Sequence, residues 1–407
     1  MRALSFSAAA LAMAALLTPS AATAQQVAVH GETVYTMAGA PIKDGVVLIK
    51  DGKIERVGTA ADVKPPASYK VLRAKVVTPG LVDAHSTVGL SGFLNQPHDQ
   101  DQVDRTTASQ PELRAVDAYN AQDPLVEYLR RFGVTTLHTG HGPGALISGQ
   151  TMVVKTVGHE TETGLIVAEA MVAVTLGDAA TAQPGKAPGT RAKAVAMLRA
   201  DLIKAKDYAD KQSGPEDKRP TRDLRLDTLA RVIKKEIPLL VTVNRSTDIL
   251  TALRIAKEFD VKIVLDGAAD AYLLIDEIKK AGVPVILHPT MQRAGGDTEN
   301  LSMETAAALK KAGIPFALQS GFEGYVPKTR VVLFEAGLAA ARGLTFEQAL
   351  ATVTIDAAKI IGADKRVGSL EAGKDADLAL FDGDPFEYTS HVTTVLINGQ
   401  VVSDTVR

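Results

Sequence analysis

The chain has 407 residues, a formal net charge of −2 at pH 7, 46% hydrophobic residues and no cysteine. The lack of cysteine excludes disulfide bonds and thiolate metal ligands, so any metal site must use His, Asp, Glu or a modified Lys. The near-neutral charge and the absence of a basic tract argue against a nucleic-acid partner. A chain of this length has room for one large barrel and a small accessory domain.

Residues 1–24 have the pattern of a secretory signal peptide. Arg2 provides a positive start, residues 8–17 are an apolar run, and Ala22-Thr23-Ala24 is a small-x-small cleavage site before Gln25. The run is shorter than the roughly 20 apolar residues of a membrane-spanning helix. We therefore expect cleavage and a periplasmic or secreted chain without a membrane span; an uncleaved anchor helix is the alternative.

Residues 25–77 are predicted to contribute short strands to a small β-domain. Two of these strands, 46–50 and 53–57, flank Asp51-Gly52, a dipeptide typical of a two-residue hairpin turn. The strand 72–77 then leads into the first long apolar strand.

Residues 78–363 alternate between strands and helices, which predicts parallel β-α units closing into a (β/α)8 barrel. The clearest strands are 81–86, 134–139, 239–244, 262–266, 284–288 and 316–320. A helix is predicted over 246–259, and two more, 272–281 and 303–312, end at Gly282 and Gly313. The stretch 165–235 is less regular, with an Ala/Pro/Gly-rich loop at 179–190 over the barrel mouth and a charged loop at 210–224.

The end of the chain returns to β-structure. Thr345-Phe346-Glu347-Gln348 is a capping box that starts one more helix. Residues 364–407 then form strands that we expect to pair with those of 25–77 in one composite β-domain beside the barrel.

Four segments resemble the amidohydrolase superfamily, in its imidazolonepropionase-like branch. They are PGLVDAH at 79–85, GVTT at 133–136, NRSTDILTALRIAKEF at 244–259, and a tail from residue 349 that includes GSLEAGKDADL at 368–378. The resemblance implies hydrolysis of amide or cyclic amide bonds by one or two divalent metals. Such a metal lowers the pKa of bound water to about 7 and polarises the carbonyl.

The resemblance also implies a ligand set, which this sequence has largely lost. The family places two His on the first strand, and here His85 is kept while Thr87 replaces its partner. The position of a carboxylated Lys on the fourth strand falls at Ala173. Asn244 and Asp266 stand where the His of the fifth and sixth strands are expected.

The family's Asp on the eighth strand, which takes a proton from the attacking water, falls at Gly321, or at Ser320 if the register slips by one. Glycine has no proton acceptor and serine is no base unaided, which leaves Asp266 as the candidate base. The candidate pocket residues are Thr87, Asn244, Arg245, Asp266 and Ser320.

A rearranged metal site is one possibility. His85, His138, His141 and His288 fall near the carboxyl ends of predicted strands, where barrel enzymes keep their chemistry. With Asp266 they have the donor types for a single divalent ion, most plausibly zinc. Ordinary hydrogen bonding of loop His residues is the alternative, and then no metal is bound.

Several further residues have weaker signals. Lys155 and Glu323 are candidate pocket charges, with ordinary ion pairs as the alternative. Ser148 and Ser320 are conceivable nucleophiles, but neither lies in a nucleophile-elbow pattern.

Three functions therefore remain open. The first is a degraded amidohydrolase barrel retained as a partner or regulatory subunit of an intact relative. The second is an active periplasmic C–N hydrolase with a rearranged metal site. The third is a metal-free protein that binds a small molecule. A homo-oligomer is expected by analogy with the family.

Overall fold

A computed structural model describes residues 26–94, 96–181, 185–290, 292–321 and 331–407. The expected signal peptide with its cleavage site, and also Glu323, lie outside these residues. The strands are β1 Val27–Val34, β2 Ile42–Lys50, β3 Lys53–Thr59, β4 Lys70–Pro79, β5 Leu81–Ser86, β6 Val134–Gly140, β7 Ile147–Lys155, β8 Leu165–Val167, β9 Val172–Thr175, β10 Leu239–Val243, β11 Ile263–Gly267, β12 Val285–Leu287, β13 Phe316–Leu318, β14 Leu378–Phe381, β15 Val392–Ile397 and β16 Gln400–Ser403. The helices are α1 Pro124–Arg131, α2 Thr161–Gly164, α3 Asp178–Thr181, α4 Arg191–Gln212, α5 Leu224–Ile233, α6 Ser246–Phe259, α7 Ile275–Ala281, α8 Thr305–Ala312, α9 Val332–Ala341, α10 Phe346–Thr352 and α11 Ile355–Ile360.

Eight strands form a nearly closed barrel in the order β5-β6-β7-β9-β10-β11-β12-β13. A parallel bridge between Ser86 and Gly321 brings the last strand back to the first. The predicted barrel is thus confirmed, with one difference: β7 runs antiparallel to both of its neighbours in the barrel. Its connection to β6, residues 141–146, is too short for the crossover of about a dozen or more residues that a parallel strand requires.

The two ends of the chain share a seven-stranded sheet in the order β16-β15-β14-β4-β1-β2-β3. The pairing of β14 with β4, for example Leu378 opposite Pro79, joins the two ends directly. The turn between β2 and β3 has positive φ at Asp51 (52°) and Gly52 (77°), as a two-residue hairpin of this kind demands. The composite β-domain is therefore confirmed.

Most helices follow their sequence signals. The helix α6 has the predicted bounds, and α7 and α8 end at left-handed caps at Gly282 and Gly313. The capping box at Thr345 is formed. The long helix α4, which lies within the stretch 165–235, is not predicted from the sequence. Its buried face includes Ala194, Leu198, Leu202 and Ala205, and small alanines make that stripe faint in the sequence. No helix within the described ranges has both the length and the apolar character needed to cross a bilayer.

The barrel interior has an apolar layer below a polar one. One buried apolar cluster takes one residue from each of four neighbouring strands: Leu240, Val264, Ile286 and Ala317. The residues two positions further along the chain are Thr242, Asp266, His288 and Gln319. Because alternate residues of a strand share a face, this polar set lies one layer closer to the barrel mouth.

A buried lysine joins the barrel to the composite sheet. Lys155, at the end of β7, is 1% exposed, and its Nζ lies 2.8 Å from a carboxylate oxygen of Asp375 and 2.8 Å from one of Asp377. It also donates to Asn398 Oδ1 at 2.6 Å. Burial raises the pKa of Asp377 although Lys155 opposes this effect. Lys155 therefore lies away from the barrel mouth and is not a pocket charge.

Replacing Lys155 with Met should lower the free energy of unfolding by about 3–5 kcal/mol, because the buried Asp377 then loses its counter-charge. The matched control is Lys53→Met, since Lys53 pairs with the same Asp375 from a half-exposed position and should cost about 1 kcal/mol or less. Urea unfolding of both variants measures the difference. If both variants lose the same free energy of unfolding, burial does not make the Lys155 ion pairs more important for stability than the exposed Lys53 pair.

Candidate functional site

The barrel mouth opens into a cavity of about 540 Å³. Its walls come from the ends of β9 and β10, from the β6–β7 connection and from the segment after β12. They include Arg105, Thr175, Thr242, Asn244, Gln292, Asp297 and Thr298. This is the end of the barrel at which such folds bind ligands and carry out chemistry.

Below the cavity, three neighbours converge on the carboxylate of Asp266. His85 Nδ1 lies 2.9 Å from Asp266 Oδ1, and Gln319 Nε2 donates to the same oxygen at 2.8 Å. The hydroxyl of Thr242 donates to Oδ2 at 2.6 Å. Thr242 also lines the cavity, so the network connects directly to the barrel mouth.

The network keeps Asp266 ionised. Burial alone would raise the pKa of this carboxyl, but attraction to His85 and hydrogen bonds from His85, Thr242 and Gln319 hold it below its usual value. Three side chains donate hydrogen bonds to this buried carboxylate, so its negative charge is stabilised by the fold itself. The sequence analysis did not predict Thr242 and Gln319. Each lies two positions after an interior apolar residue, and this spacing could have placed it on the interior face of the barrel.

The positions expected for metal ligands surround this network. Thr87 is buried just after β5. Asn244 is half-buried on the cavity wall. Ala173 pairs with Leu240 and carries only a methyl group. None of these three side chains supplies the imidazole or carboxylate that the family pattern implies.

Gly321 cannot accommodate the family's aspartate in this backbone. Its φ is +70°, and an added Cβ would lie 2.5 Å from Pro289 Cγ. Side chains other than that of glycine rarely adopt this conformation, and the contact would require Pro289 to move. The backbone N–H of Gly321 donates to the carbonyl of His85 at 3.2 Å, which fixes the closure of the barrel. At the alternative position, the N–H of Ser320 donates to Asp83 Oδ1 at 3.0 Å.

His138 lies beside the network but is fully engaged. Its Nδ1 lies 2.6 Å from the carbonyl oxygen of Ala84, so this nitrogen donates, and its Nε2 lies 2.7 Å from the hydroxyl of Thr151 and accepts. The rings of His85 and His138 are 5.7 Å apart. Burial lowers the pKa of His138 to about 3, so the ring is neutral.

The other two candidate His ligands have separate surroundings. His141 is buried beside Gly149 and contacts the backbone of Gln102, and burial lowers its pKa to about 4. His288 Nδ1 lies 2.9 Å from the carbonyl of Pro289, and burial lowers its pKa as well. No group of three or more His, Asp or Glu side chains in the described ranges is arranged to hold a metal ion. The donor set therefore does not fit the metal centre that the family pattern implies.

Two further candidates have ordinary roles. Arg245 donates to the carbonyl of Gly296 at 3.3 Å and lies 3.7 Å from Glu299, which ties down the segment after β12. Ser148 donates its hydroxyl to the carbonyl of Gly142 at 2.9 Å. Neither arrangement activates a nucleophile.

The free energy of unfolding should fall as the pH drops from about 6.5 towards 4. An unfolded His takes up a proton below about pH 6.5, whereas folded His138 does so only near pH 3. Each such group therefore contributes a slope of up to about 1.4 kcal/mol per pH unit. The variant His138→Asn should lose one such contribution in urea titrations across this pH range.

The exposed His98, changed to Asn, is the matched control for the loss of one His. An unaltered slope in His138→Asn would contradict the assignment of a neutral buried ring.

Comparison with known proteins agrees with this architecture. Residues 101–403 match the Amidohydrolase family. Amidohydrolase tasK of Hapsidospora irregularis is 24% identical over 403 residues, with 88% of this chain but only 40% of that protein covered. The chain thus spans less than half the length of that relative.

Two further similarities cover nearly full lengths. The imidazolonepropionase of Xanthomonas campestris pv. campestris (strain 8004) is 26% identical, over 84% of this chain and 88% of that protein. The crystal structure of an amidohydrolase from Thermotoga maritima MSB8 has a TM-score of 0.87 and 29% identity, and covers 93% of this chain and 100% of that one. The resemblance predicted from the sequence is thereby confirmed, and the chain belongs to the Amidohydrolase family.

Proposed function

We propose that this chain is an amidohydrolase-family protein that no longer hydrolyses C–N bonds with the family's metal centre. It acts instead as a non-catalytic partner or regulatory subunit of an intact relative, and its barrel mouth binds a small polar molecule. The observation that carries the proposal is the state of Asp266, whose carboxylate accepts hydrogen bonds from His85, Thr242 and Gln319.

The donor chemistry supports this proposal. An ion at Asp266 would have to compete with these three hydrogen bonds for the carboxylate oxygens, and coordination by His138 Nε2 would require loss of its bond from Thr151. The proton acceptor implied by the family would have to occupy Gly321, where Pro289 leaves no space for a side chain. Loss of donors and loss of space are independent obstacles to the ancestral reaction.

The cavity supports the binding part. Its volume of about 540 Å³ lies within the roughly 300–1,000 Å³ typical of small-molecule sites. Its polar lining includes the amide of Asn244, the guanidinium of Arg105 and the carboxylate of Asp297. These groups orient a polar ligand without requiring a metal.

The competing function is hydrolysis of a C–N bond at a rearranged site, with one ion held by His85 and some of His138, His141, His288 and Asp266. The relatives named as imidazolonepropionase and amidohydrolase favour it. Chain export to the periplasm, which residues 1–24 suggest, is compatible with either function.

Elemental analysis of the purified chain, run beside an activity screen, separates the two functions. We expect well below one divalent ion per chain and no turnover of dipeptides, hydantoins or lactams above the blank. One tightly bound ion that is lost in His138→Asn, together with slow turnover, would establish the competing function. Two tightly bound ions with rapid turnover that survives Asp266→Asn would refute both readings of the site.

Ligand binding at the mouth is tested separately by thermal shift with a panel of amino acids, dipeptides and cyclic amides. The variant Asn244→Ala should weaken binding of any stabilising compound by about tenfold, because a polar group of the ligand then loses its partner. Gln400→Ala, an exposed change on β16, should leave the shift unchanged. Stabilisation that is identical in both variants would place the ligand elsewhere.

A further inference from the structure

A face on the outside of the barrel is unusually rich in aromatic side chains. It lies between α1 and α9 and includes the loop between β14 and β15. We call it the aromatic face; its aromatic residues are Phe93, Tyr128, Phe132, Phe334, Phe381, Phe386 and Tyr388. The whole chain has 10 Phe, 8 Tyr and no Trp, so more than a third of its aromatic residues lie here.

The aromatic face contains two adjacent cavities. One has a volume of about 500 Å³ and the other about 560 Å³, and both are lined by Phe132 and Arg407. Phe132 packs edge-on against Phe334, with ring centroids 5.9 Å apart, which forms the ridge beside them. These are concave apolar surfaces that can receive a side chain.

Much of this aromatic surface is open to solvent. Phe93 is 55% exposed, Phe334 51% and Tyr128 40%, and Tyr388 is 99% exposed. With 150–250 Å² per aromatic side chain, these four leave about 400–600 Å² of aromatic surface in water. Half of a standard interface is about 800 Å² per partner, so the aromatic face supplies most of what a stable dimer needs.

The composition of the face is that of an interface. Its charged residues are Arg131 and Arg407 beside Glu127 and Glu387, and no lysine lines either cavity in the part of the chain that the structure describes. Interface cores are enriched in aromatic residues and Arg and depleted in Lys.

We propose that the aromatic face binds a second copy of this chain in a two-fold symmetric dimer, with Tyr388 of each protomer inserted into an apolar cavity of the other. A two-fold interface must be self-complementary, because the same surface appears on both sides. In such a dimer the inserting side chain and the cavity that receives it must lie on the same surface of each protomer. Tyr388 and the two cavities meet this condition.

The charges at the rim are self-complementary as well. Glu127 pairs with Arg131 within the chain, and Glu387 lies on the loop that carries Tyr388 while Arg407 lies between the two cavities. A face of one sign would repel its own copy, whereas a rim with both signs can pair with itself. This inference does not depend on the proposed function, because the aromatic face is separate from the barrel mouth.

Sedimentation equilibrium of the purified chain tests the proposal. We expect a dimer, and Tyr388→Glu should raise its dissociation constant by about 30-fold or more, as loss of a Tyr anchor does. Phe334→Glu should act in the same direction. The matched control Ile203→Glu, at a residue 48% exposed on α4, should leave the dimer intact. Circular dichroism confirms that each variant folds.

Cross-linking gives a second readout, because the chain has no cysteine. A mixture of the Glu387→Cys and Arg131→Cys variants, which both keep Tyr388, should form disulfide-linked pairs on mild oxidation, whereas a mixture of Glu387→Cys and Ile203→Cys should not. A monomeric wild-type chain would overturn the proposal. So would a dimer that Tyr388→Glu and Phe334→Glu leave unchanged, or assembly that occurs only with a related amidohydrolase.

Discussion

One buried carboxylate holds the upper barrel together. Asp266 on β11 accepts from His85 on β5, Thr242 on β10 and Gln319 after β13, so a single side chain links four segments of the barrel wall. Hydrogen bonds to a charged group are worth about 1.5–3 kcal/mol each, and an unpaired buried charge costs more. The polar layer is therefore stable only as a complete set. In this set the donors and acceptors are used in hydrogen bonds within the barrel wall.

The sequence predicted those features of the fold that are determined by residues close together in the chain, such as helix ends and tight turns. Apolar periodicity and glycine caps gave the bounds of α6 and the ends of α7 and α8, and Asp51-Gly52 gave the first hairpin. The reversed strand β7 was missed, because strand direction is a property of the connection and of the partners rather than of the strand's own residues. The helix α4 was missed because half of its buried stripe is alanine, which makes the apolar pattern faint.

The candidate site was less predictable for the same reason. Alternation along a strand places Thr242 and Asp266 on the interior face, but only the curvature of the closed barrel brings His85 and Gln319 to them. Grouping His residues by their positions after strands left open a single-ion site formed by His85 with some of His138, His141 and His288. In the structure the three rings have separate surroundings, and His138 and His288 each contact a backbone carbonyl, which leaves no mark in the sequence. Likewise, the lack of space at Gly321 depends on Pro289, more than thirty residues earlier in the chain.

The order in which the chain is synthesised makes the composite sheet a late event. The strand β4 pairs with β1 on one side, but its other edge is covered by β14, which begins at Leu378. Lys155 likewise meets Asp377 across 222 positions of sequence. Until the end of the chain arrives, β4 presents an open edge and a cation has no counter-charge, which is the condition under which strands join the wrong neighbour. A ribosome or an export channel delivers this chain from its amino end, so β4 emerges well before β14. During that interval the unpaired edge of β4 is a target for chaperones.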